Sequence, residues 1–252
     1  VAVTLAQVRS EEHTSELQSR RVTPYAVLCL ATGLISVPAG TPAGSYSIDY
    51  EICETLNPTN CASNTATIVV DAAPLVAAND SASGINGLTG ATAVVNAFTA
   101  DTVNGVAASP SNAVLSLAPG ASVPTGLSFD TATGNVDVAA GTAAGTYSFD
   151  YQICEALNPT NCRTATISVT VEAAAIAADA DTISGINGAS GGNDVLNVLD
   201  GDTLNGVAVT LAQVDISVTS PATPASAGAP VPVLDVATGL ISVPAGTPAG
   251  SY

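Results

Sequence analysis

The sequence is short of the residue types on which most enzyme sites and most anion-binding sites depend. Its 252 residues include no Lys, no Trp and no Met, a single His (His13) and four Arg. Catalytic sites of the Ser-His-Asp or Cys-His kind need a histidine, and a formal net charge of −17 repels nucleic acid and anionic membranes. No apolar run approaches the roughly 20 residues of a membrane-spanning helix. We therefore expect no enzyme activity, no nucleic-acid partner and no membrane insertion in this segment.

The residues that are abundant favour short strands joined by turns. Hydrophobic residues make up 47 % of the chain, enough for packed cores, but aromatic residues only 4 %. The chain also contains 22 Gly and 15 Pro, together with many Thr, Ser and Asn, and this composition suits an all-β protein with many turns. The chain is therefore predicted to be all-β and to form tandem β-sandwich domains.

The sequence repeats itself with a period of about a hundred residues, which is the size of one β-sandwich domain. Tyr46–Val106 corresponds to Tyr147–Val207, and both copies contain SGING and an Asn-Gly turn signal. Ala-rich linkers follow the apparent last strand of each copy. This pattern predicts three domains: a C-terminal part of one repeat over residues 1–72, a complete repeat over 73–173, and an N-terminal part of a third over 174–252.

One block of the first repeat does not belong to the pattern. Val1–Val8 is identical to Val207–Val214, and Ala31–Tyr46 is identical to Ala237–Tyr252, yet the 22 residues between these flanks are unrelated in the two copies. The block 9–30 contains RSEEHTSELQS, which resembles the conceptual translation of a sequencing adapter. We interpret it as adapter sequence assembled into a repetitive gene, with a natural amphipathic insertion as the alternative. Four residues of this block could carry chemistry, Glu11, Glu12, His13 and Cys29, and no function is assigned to them.

The hairpins of the middle repeat can be located from alternation and turn residues. GLSFDTATGNVDV, residues 126–138, predicts a strand, a turn from Asp130 to Gly134, and a second strand. In the first long strand of this repeat, four residues share the phase that predicts the core face: Tyr147, Phe149, Tyr151 and Ile153. Ala165, Ile167, Val169 and Val171 do so in the strand that follows. The SGING segments are interpreted as glycine loops.

Four of the five cysteines form two pairs with the same spacing. Cys53 and Cys61, like Cys154 and Cys162, have seven residues between them and the same alternation phase. Zinc sites and redox motifs need other spacings, so each pair predicts a disulfide across a hairpin, with free buried thiols as the alternative. Aligning CASNT with CRT indicates a two-residue insertion after Cys61. A disulfide implies an oxidising compartment and therefore export.

The motifs D-x-x-T-G, A-G-T-Y and Y-x-I-C-E-x-x-N-P-T-N-C resemble the Ig-like, cadherin-like tandem repeats of very large bacterial surface proteins. The resemblance covers the chain except for residues 9–30. It implies a structural stalk or adhesive segment at the cell surface or outside the cell. The implied partners are neighbouring repeats of the same chain, and surface glycans or other cells. It brings no catalytic residues. The alternative function is a carbohydrate-binding or accessory module of a secreted polysaccharide-degrading enzyme.

No cofactor is required by this interpretation, but calcium is a candidate. Carboxylates cluster near the predicted domain junctions, and hard oxygen ligands at a junction are those that Ca²⁺ prefers. The candidate ligands are Asp80, Asp101, Asp179, Asp181 and Asp202. The alternative is that these are solvated loop carboxylates, since the sequence contains no D-x-D-x-D loop.

Overall fold

The computed structural model describes residues 27–29, for which the backbone alone is placed, and residues 32–252. The chain divides into two compact units, unit 1 ending at Glu172 and unit 2 running from Ala173 to Tyr252. The three domains expected from the sequence stay a prediction, because the boundary expected after residue 72 lies inside unit 1. The block 9–30 lies outside the described residues, apart from the backbone of Val27–Cys29.

The first repeat contributes two antiparallel hairpins to unit 1. Strand β1 (Val27–Cys29) pairs with β2 (Leu34–Ser36), and β3 (Gly44–Cys53) pairs with β4 (Cys61–Val70). The β3–β4 ladder runs from Gly44↔Val70 to Cys53↔Cys61 without a register shift. The middle repeat has the same ladder 101 positions later, so the two-residue insertion predicted after Cys61 is wrong. Length and phase are preserved because no residue is inserted.

The middle repeat consists of two facing sheets and one small sheet. Its four-stranded sheet has the order β10 (Ala113–Leu117), β13 (Gly145–Glu155), β14 (Cys162–Glu172) and β6 (Asp80–Asn86). The three-stranded sheet has the order β11 (Leu127–Phe129), β12 (Asn135–Val138) and β7 (Ala91–Asn96). The small sheet is formed by β5 (Leu75–Val76), β8 (Thr102–Val103) and β9 (Val106–Ala107).

The core of this sandwich lies on the face that alternation predicted. Phe149, Tyr151 and Ile153 of β13 are buried, and so are the inward residues of β14 and Val136 and Val138 of β12. The predicted β14 residues are all confirmed as core: Ala165, Ile167, Val169 and Val171. Because every second side chain of a strand points inward, the polar alternates stay at the outer surface.

The predicted turns are confirmed, but the interpretation of SGING as a glycine loop is wrong in the middle repeat. Asp130 accepts the Ala132 backbone N–H through its carboxylate, and Gly134 has φ +80°. Asn104 and Gly105 both have positive φ between β8 and β9, as a two-residue hairpin of this kind requires. The segment read as a glycine loop is strand β6, which pairs in parallel with β14. Its parallel partner lies more than 80 residues away, and local pattern does not reveal such pairing.

Unit 2 contains fewer strands than the middle repeat although its sequence is similar. Its two sheets are formed by β15 (Ile176–Ala177), β17 (Thr203–Leu204) and β18 (Val207–Ala208), and by β16 (Gly192–Asn197), β20 (Leu240–Val243) and β19 (Val233–Asp235). Residues 181–187 and 214–218, which correspond to β6 and β10, are not in strands.

Over the part of the chain that the structure describes, no helix has the length and hydropathy needed to cross a membrane.

Candidate functional site

Two disulfides close the tips of the long hairpins. Cys53 bonds to Cys61 and Cys154 bonds to Cys162, each pair with Cα atoms 4.1 Å apart. Both pairs lie at the last ladder position of their hairpin, so a short loop of seven residues projects beyond each bond. The disulfide prediction is confirmed at all four cysteines.

Inside each loop a glutamate holds two asparagines. In the middle repeat the Glu155 carboxylate accepts hydrogen bonds from the Asn158 amide at 2.7 Å and from the Asn161 amide at 2.9 Å. In the first repeat the Glu54 carboxylate accepts the same pair of bonds at 2.6 and 2.9 Å, from Asn57 and Asn60. Charge-assisted hydrogen bonds of this kind are among the stronger ones. The motif E-x-x-N-P-T-N therefore builds a loop that is fixed internally, before it meets any neighbour.

The middle-repeat loop also holds the chain that enters the repeat. Glu155 accepts the backbone N–H of Ala73 at 3.1 Å, and the Asn161 amide donates to the Ala73 carbonyl at 2.8 Å. Asn158 accepts the backbone N–H of Ala43, from the first repeat, at 2.6 Å. We call the residues 155–161 the junction loop. It bonds the linker and the preceding repeat at once.

The two copies of this loop differ in how far their side chains are buried. Glu155 and Asn158 are buried, whereas Glu54, Asn57 and Asn60 are exposed. Sequence reasoning gave Glu54 and Glu155 no role and missed the junction. The near-identity of the two loops signals only their shared internal hydrogen bonds, and no local pattern distinguishes the copy that contacts the linker.

Two of the predicted calcium ligands meet inside the middle repeat. The hydroxyl of the fully buried Tyr151 lies 2.9 Å from Asp101 Oδ2, 3.1 Å from Asp80 Oδ2 and 3.0 Å from the Ala78 carbonyl. Asp101 also accepts the Ala78 backbone N–H at 2.6 Å. One phenolic proton thus faces three acceptors, and the two carboxylates need a further proton or cation to lie this close.

The pKa values show how the cluster meets that need. Burial, with a further contribution from the charge of Asp101, raises the pKa of Asp80 to about 6, although the Tyr151 hydrogen bond lowers it. Burial also raises the pKa of Asp101, opposed by the bonds from Ala78 and Tyr151. Burial and the two carboxylates raise the pKa of Tyr151. Below about pH 6 Asp80 therefore holds a proton, which removes the charge repulsion between the two carboxyl groups.

The other predicted calcium ligands lie in unit 2. The Asp179 backbone N–H donates to Asp202 Oδ1 at 2.8 Å, the same bond that Ala78 makes to Asp101, and Asp181 is half-buried. Ca²⁺ takes six to eight oxygen ligands, and two carboxylates at Tyr151 supply only part of such a set. Among the described residues, the grouping of three potential ligand atoms is Glu51, Cys53 and Cys61, where the disulfide leaves no thiolate for a metal. Calcium stays a prediction at all five aspartates.

Comparison with known proteins identifies no family. No family model matches the chain, and no curated protein matches it. Solved structures that resemble it are cadherin ectodomains. The third cadherin domain of human protocadherin 7 is 12 % identical with a TM-score of 0.31, over 40 % of this chain and 87 % of that one.

Two longer ectodomains give similar values. Domains EC1–3 of mouse clustered PcdhgC3 are 17 % identical with a TM-score of 0.29, over 51 % of this chain and 43 % of that one. The human desmocollin-1 ectodomain is 12 % identical with a TM-score of 0.31, over 72 % of this chain and 36 % of that one. The chain thus spans less than half of these two ectodomains, and neither assigns it a function or a site residue.

Proposed function

We propose that the chain is a segment of a structural stalk or adhesive shaft in a large exported bacterial surface protein, built from tandem β-sandwich repeats. The observation that carries this proposal is the junction loop, which ties the middle repeat to the linker and to the repeat before it. In a linear array, stability and shape depend on each repeat and on its interface with the next. A loop that fixes this interface would stabilise a load-bearing array and keep the angle between its repeats constant.

The junction is pre-organised, which favours a fixed angle between repeats over a free hinge. The disulfide closes the loop, and Glu155 aligns both asparagines before Ala43 and Ala73 bind. Because the loop is ordered in advance, little further conformational entropy is lost when the preceding repeat docks. A flexible linker would have no such contacts.

The chemistry of the cysteines supports export. Disulfides persist in oxidising compartments and are rare in the cytosol, so two closed hairpins support an extracellular or cell-surface location. The partners we assign are the neighbouring repeats, together with glycans or proteins of another cell where the shaft is adhesive. Calcium at Asp80, Asp101, Asp179, Asp181 and Asp202 is a separate proposal, and a stalk of this kind does not require it.

The experiment that tests the proposal measures whether the junction is rigid. Amide hydrogen exchange and ¹⁵N relaxation of the whole chain report on Ala43, Ala73 and the β3–β4 hairpin. We expect slow exchange at both amides and a hairpin that tumbles with the middle repeat. Asn158→Ala removes the acceptor for Ala43 and should speed exchange there about fivefold or more. The matched variant Asn57→Ala alters the exposed copy of the loop and should leave Ala43 unchanged.

Two results would contradict the stalk. The first is a hairpin that tumbles independently in the unaltered chain, with equal exchange in both variants. The second is specific binding on a glycan array, which would favour the carbohydrate-binding module instead. The tyrosines argue against that module in the middle repeat, because the Tyr151 ring is buried and the Tyr147 hydroxyl donates to the Ala143 carbonyl. A sugar-stacking platform needs exposed rings.

A further inference from the structure

Three potential metal-ligand side chains lie at the tip of the β3–β4 hairpin, on its outer face. Glu51 and Cys53 are two positions apart on β3, so both point to that face, and Cys61 lies directly opposite Cys53 on β4. A carboxylate oxygen of Glu51 and the two Sγ atoms all lie within 4.8 Å of one another. Glu51 and Cys61 are exposed and Cys53 is half-buried, so a dissolved ion has access to this group, which we call the tip triad.

The hairpin ladder places the Glu51 carboxylate beside the sulfurs. Glu51 pairs directly with Ser63 across the two strands, and the Ser63 hydroxyl donates to Glu51 Oε1 at 3.3 Å. Side chains at directly opposite positions of an antiparallel pair are close neighbours. The Ser63 bond therefore keeps the carboxylate on the face that also carries Cys53 and Cys61.

The middle repeat has the equivalent disulfide without the carboxylate. Gln152 stands at the position of Glu51, and a neutral amide is not among the usual side-chain ligands of zinc. Arg163, where the first repeat has Ala62, adds a positive charge next to the second cysteine pair, and its guanidinium donates to the Cys162 carbonyl at 2.9 Å. The two tips therefore differ in charge, although their disulfides close loops of the same length.

The tip triad can bind a metal only after its disulfide is reduced, because in the oxidised chain the two sulfurs are bonded to each other. Two thiols of an external reductant supply the two electrons. The Cys53–Cys61 bond breaks, the reductant sulfurs form a disulfide, and their two protons pass to Cys53 and Cys61. A divalent ion then displaces both protons, because the thiolate and not the thiol is the metal ligand.

We propose that reduction converts the tip triad into a binding site for Zn²⁺ or a similar divalent ion that favours sulfur ligands. Two thiolates and one carboxylate are three of the four ligands of tetrahedral zinc, and water supplies the fourth. Ligand atoms around such an ion lie about 3.5 Å apart, so side-chain rotations that separate the released sulfurs and bring the carboxylate closer complete the site. The bound ion would close the loop in place of the disulfide, in the first repeat and not in the middle one.

Titration with Co²⁺, a spectroscopic probe for zinc sites, tests the proposal on the whole chain. The background variant keeps only the first cysteine pair and carries Cys29→Ser, Cys154→Ser and Cys162→Ser. After reduction under inert gas it should bind one Co²⁺ with thiolate-to-cobalt charge-transfer absorption, which Zn²⁺ abolishes, and the oxidised chain should show no such absorption. Glu51→Gln in the same background should lower the association constant about tenfold or more, a loss typical even of groups that only support a ligand. Because Glu51 is exposed, its substitution should leave the fold intact.

Transfer of the site to the middle repeat is the matched control. A chain that keeps only Cys154 and Cys162 should bind Co²⁺ as weakly as the Glu51→Gln variant, and Gln152→Glu with Arg163→Ala should then increase its affinity. The inference is overturned if the reduced first pair gives no charge-transfer absorption, if Glu51→Gln binds Co²⁺ equally well, or if the two unaltered tips bind it equally. None of these outcomes bears on the rigidity of the junction loop, so the stalk proposal is judged separately.

Discussion

The middle repeat and unit 2 differ in strand content far more than in sequence. DSASGIN at residues 80–86 forms β6, while DTISGIN at 181–187 forms no strand. Thr182 and Ile183 replace Ser81 and Ala82, so intrinsic β-propensity is higher where the strand is missing. The difference is the hairpin β13–β14, which pairs with β6 in one unit and has no counterpart within residues 173–252. A pairing partner therefore decides whether this segment is a strand.

The strands that both repeats share are those with nearby partners. β8 and β9 turn on Asn104-Gly105, and β17 and β18 turn on Asn205-Gly206, with positive φ at all four positions. Two-residue hairpins of this type need only local turn geometry. Some strands thus form through local turns, and others depend on the hairpin β13–β14, which is distant in sequence. Substitutions in that hairpin and in its first-repeat counterpart β3–β4 test this distinction.

The largest effect is expected from truncating the inward face of the hairpin. Ile153→Ala leaves a cavity under the fully buried end of β13 and should lower the free energy of unfolding of the middle repeat by about 2–5 kcal/mol. Ile52→Ala is the matched change in the first repeat, where the side chain is partly exposed, and should cost less than about 1 kcal/mol. Chemical denaturation of the dilute chain measures both. Equal losses would mean that the two hairpins are equally covered.

The second effect comes from removing one disulfide at a time. Cys154→Ala with Cys162→Ala opens the junction loop and should lower the free energy of unfolding of the middle repeat by roughly 2–3 kcal/mol, as expected for a short loop. Amide exchange at Ala73 should also increase, because Glu155 and Asn161 are no longer held in place. Cys53→Ala with Cys61→Ala removes the equivalent bond at an exposed loop.

Thermal unfolding with exchange measurements distinguishes these variants. The first-repeat pair should leave both the melting transition of the middle repeat and the Ala73 amide unchanged. If the two double variants destabilise the middle repeat alike, the junction loop has no special role. If Ala73 exchange is insensitive to the loss of Cys154–Cys162, the loop does not need its disulfide to hold the linker.

Much of the fold could be predicted from local pattern, and the remainder depends on contacts distant in sequence. Alternation from Tyr147 to Cys154 predicts the core face of β13, and the cysteine spacing predicts both disulfides. β6 could not be found this way, because it pairs in parallel with a strand more than 80 residues away. The junction loop was missed for the same reason, since Asn158 meets Ala43 across 115 positions.

The candidate site was predictable only in its residue types. Composition pointed to Asp80 and Asp101 as ligands for a cation, and the structure brings the two together. What composition could not show is that Tyr151 lies between them, because the phase of β13 says only that this ring points inward. The chemistry of the pair depends on its burial around one hydroxyl, and burial follows from the complete sandwich.

The smallest of these effects is a pH dependence of the stability of the middle repeat. Burial raises the pKa of Asp80 to about 6, above its ordinary value of 3.8. The folded repeat therefore binds more protons than the unfolded chain between these values, and its stability falls as pH increases from about 4 through 6. We expect a loss on the order of 1–2 kcal/mol between pH 4.5 and pH 7 from this group.

Asp80→Asn separates this group from the general repulsion among the other carboxylates, which also weakens on acidification. The neutral amide should raise the stability of the middle repeat at pH 7 and reduce its dependence on pH, as measured by denaturation at several pH values. An Asp80→Asn variant that is less stable at pH 7 would show that the ionised carboxylate is needed there, and would favour a cation bound between Asp80 and Asp101 over a shared proton.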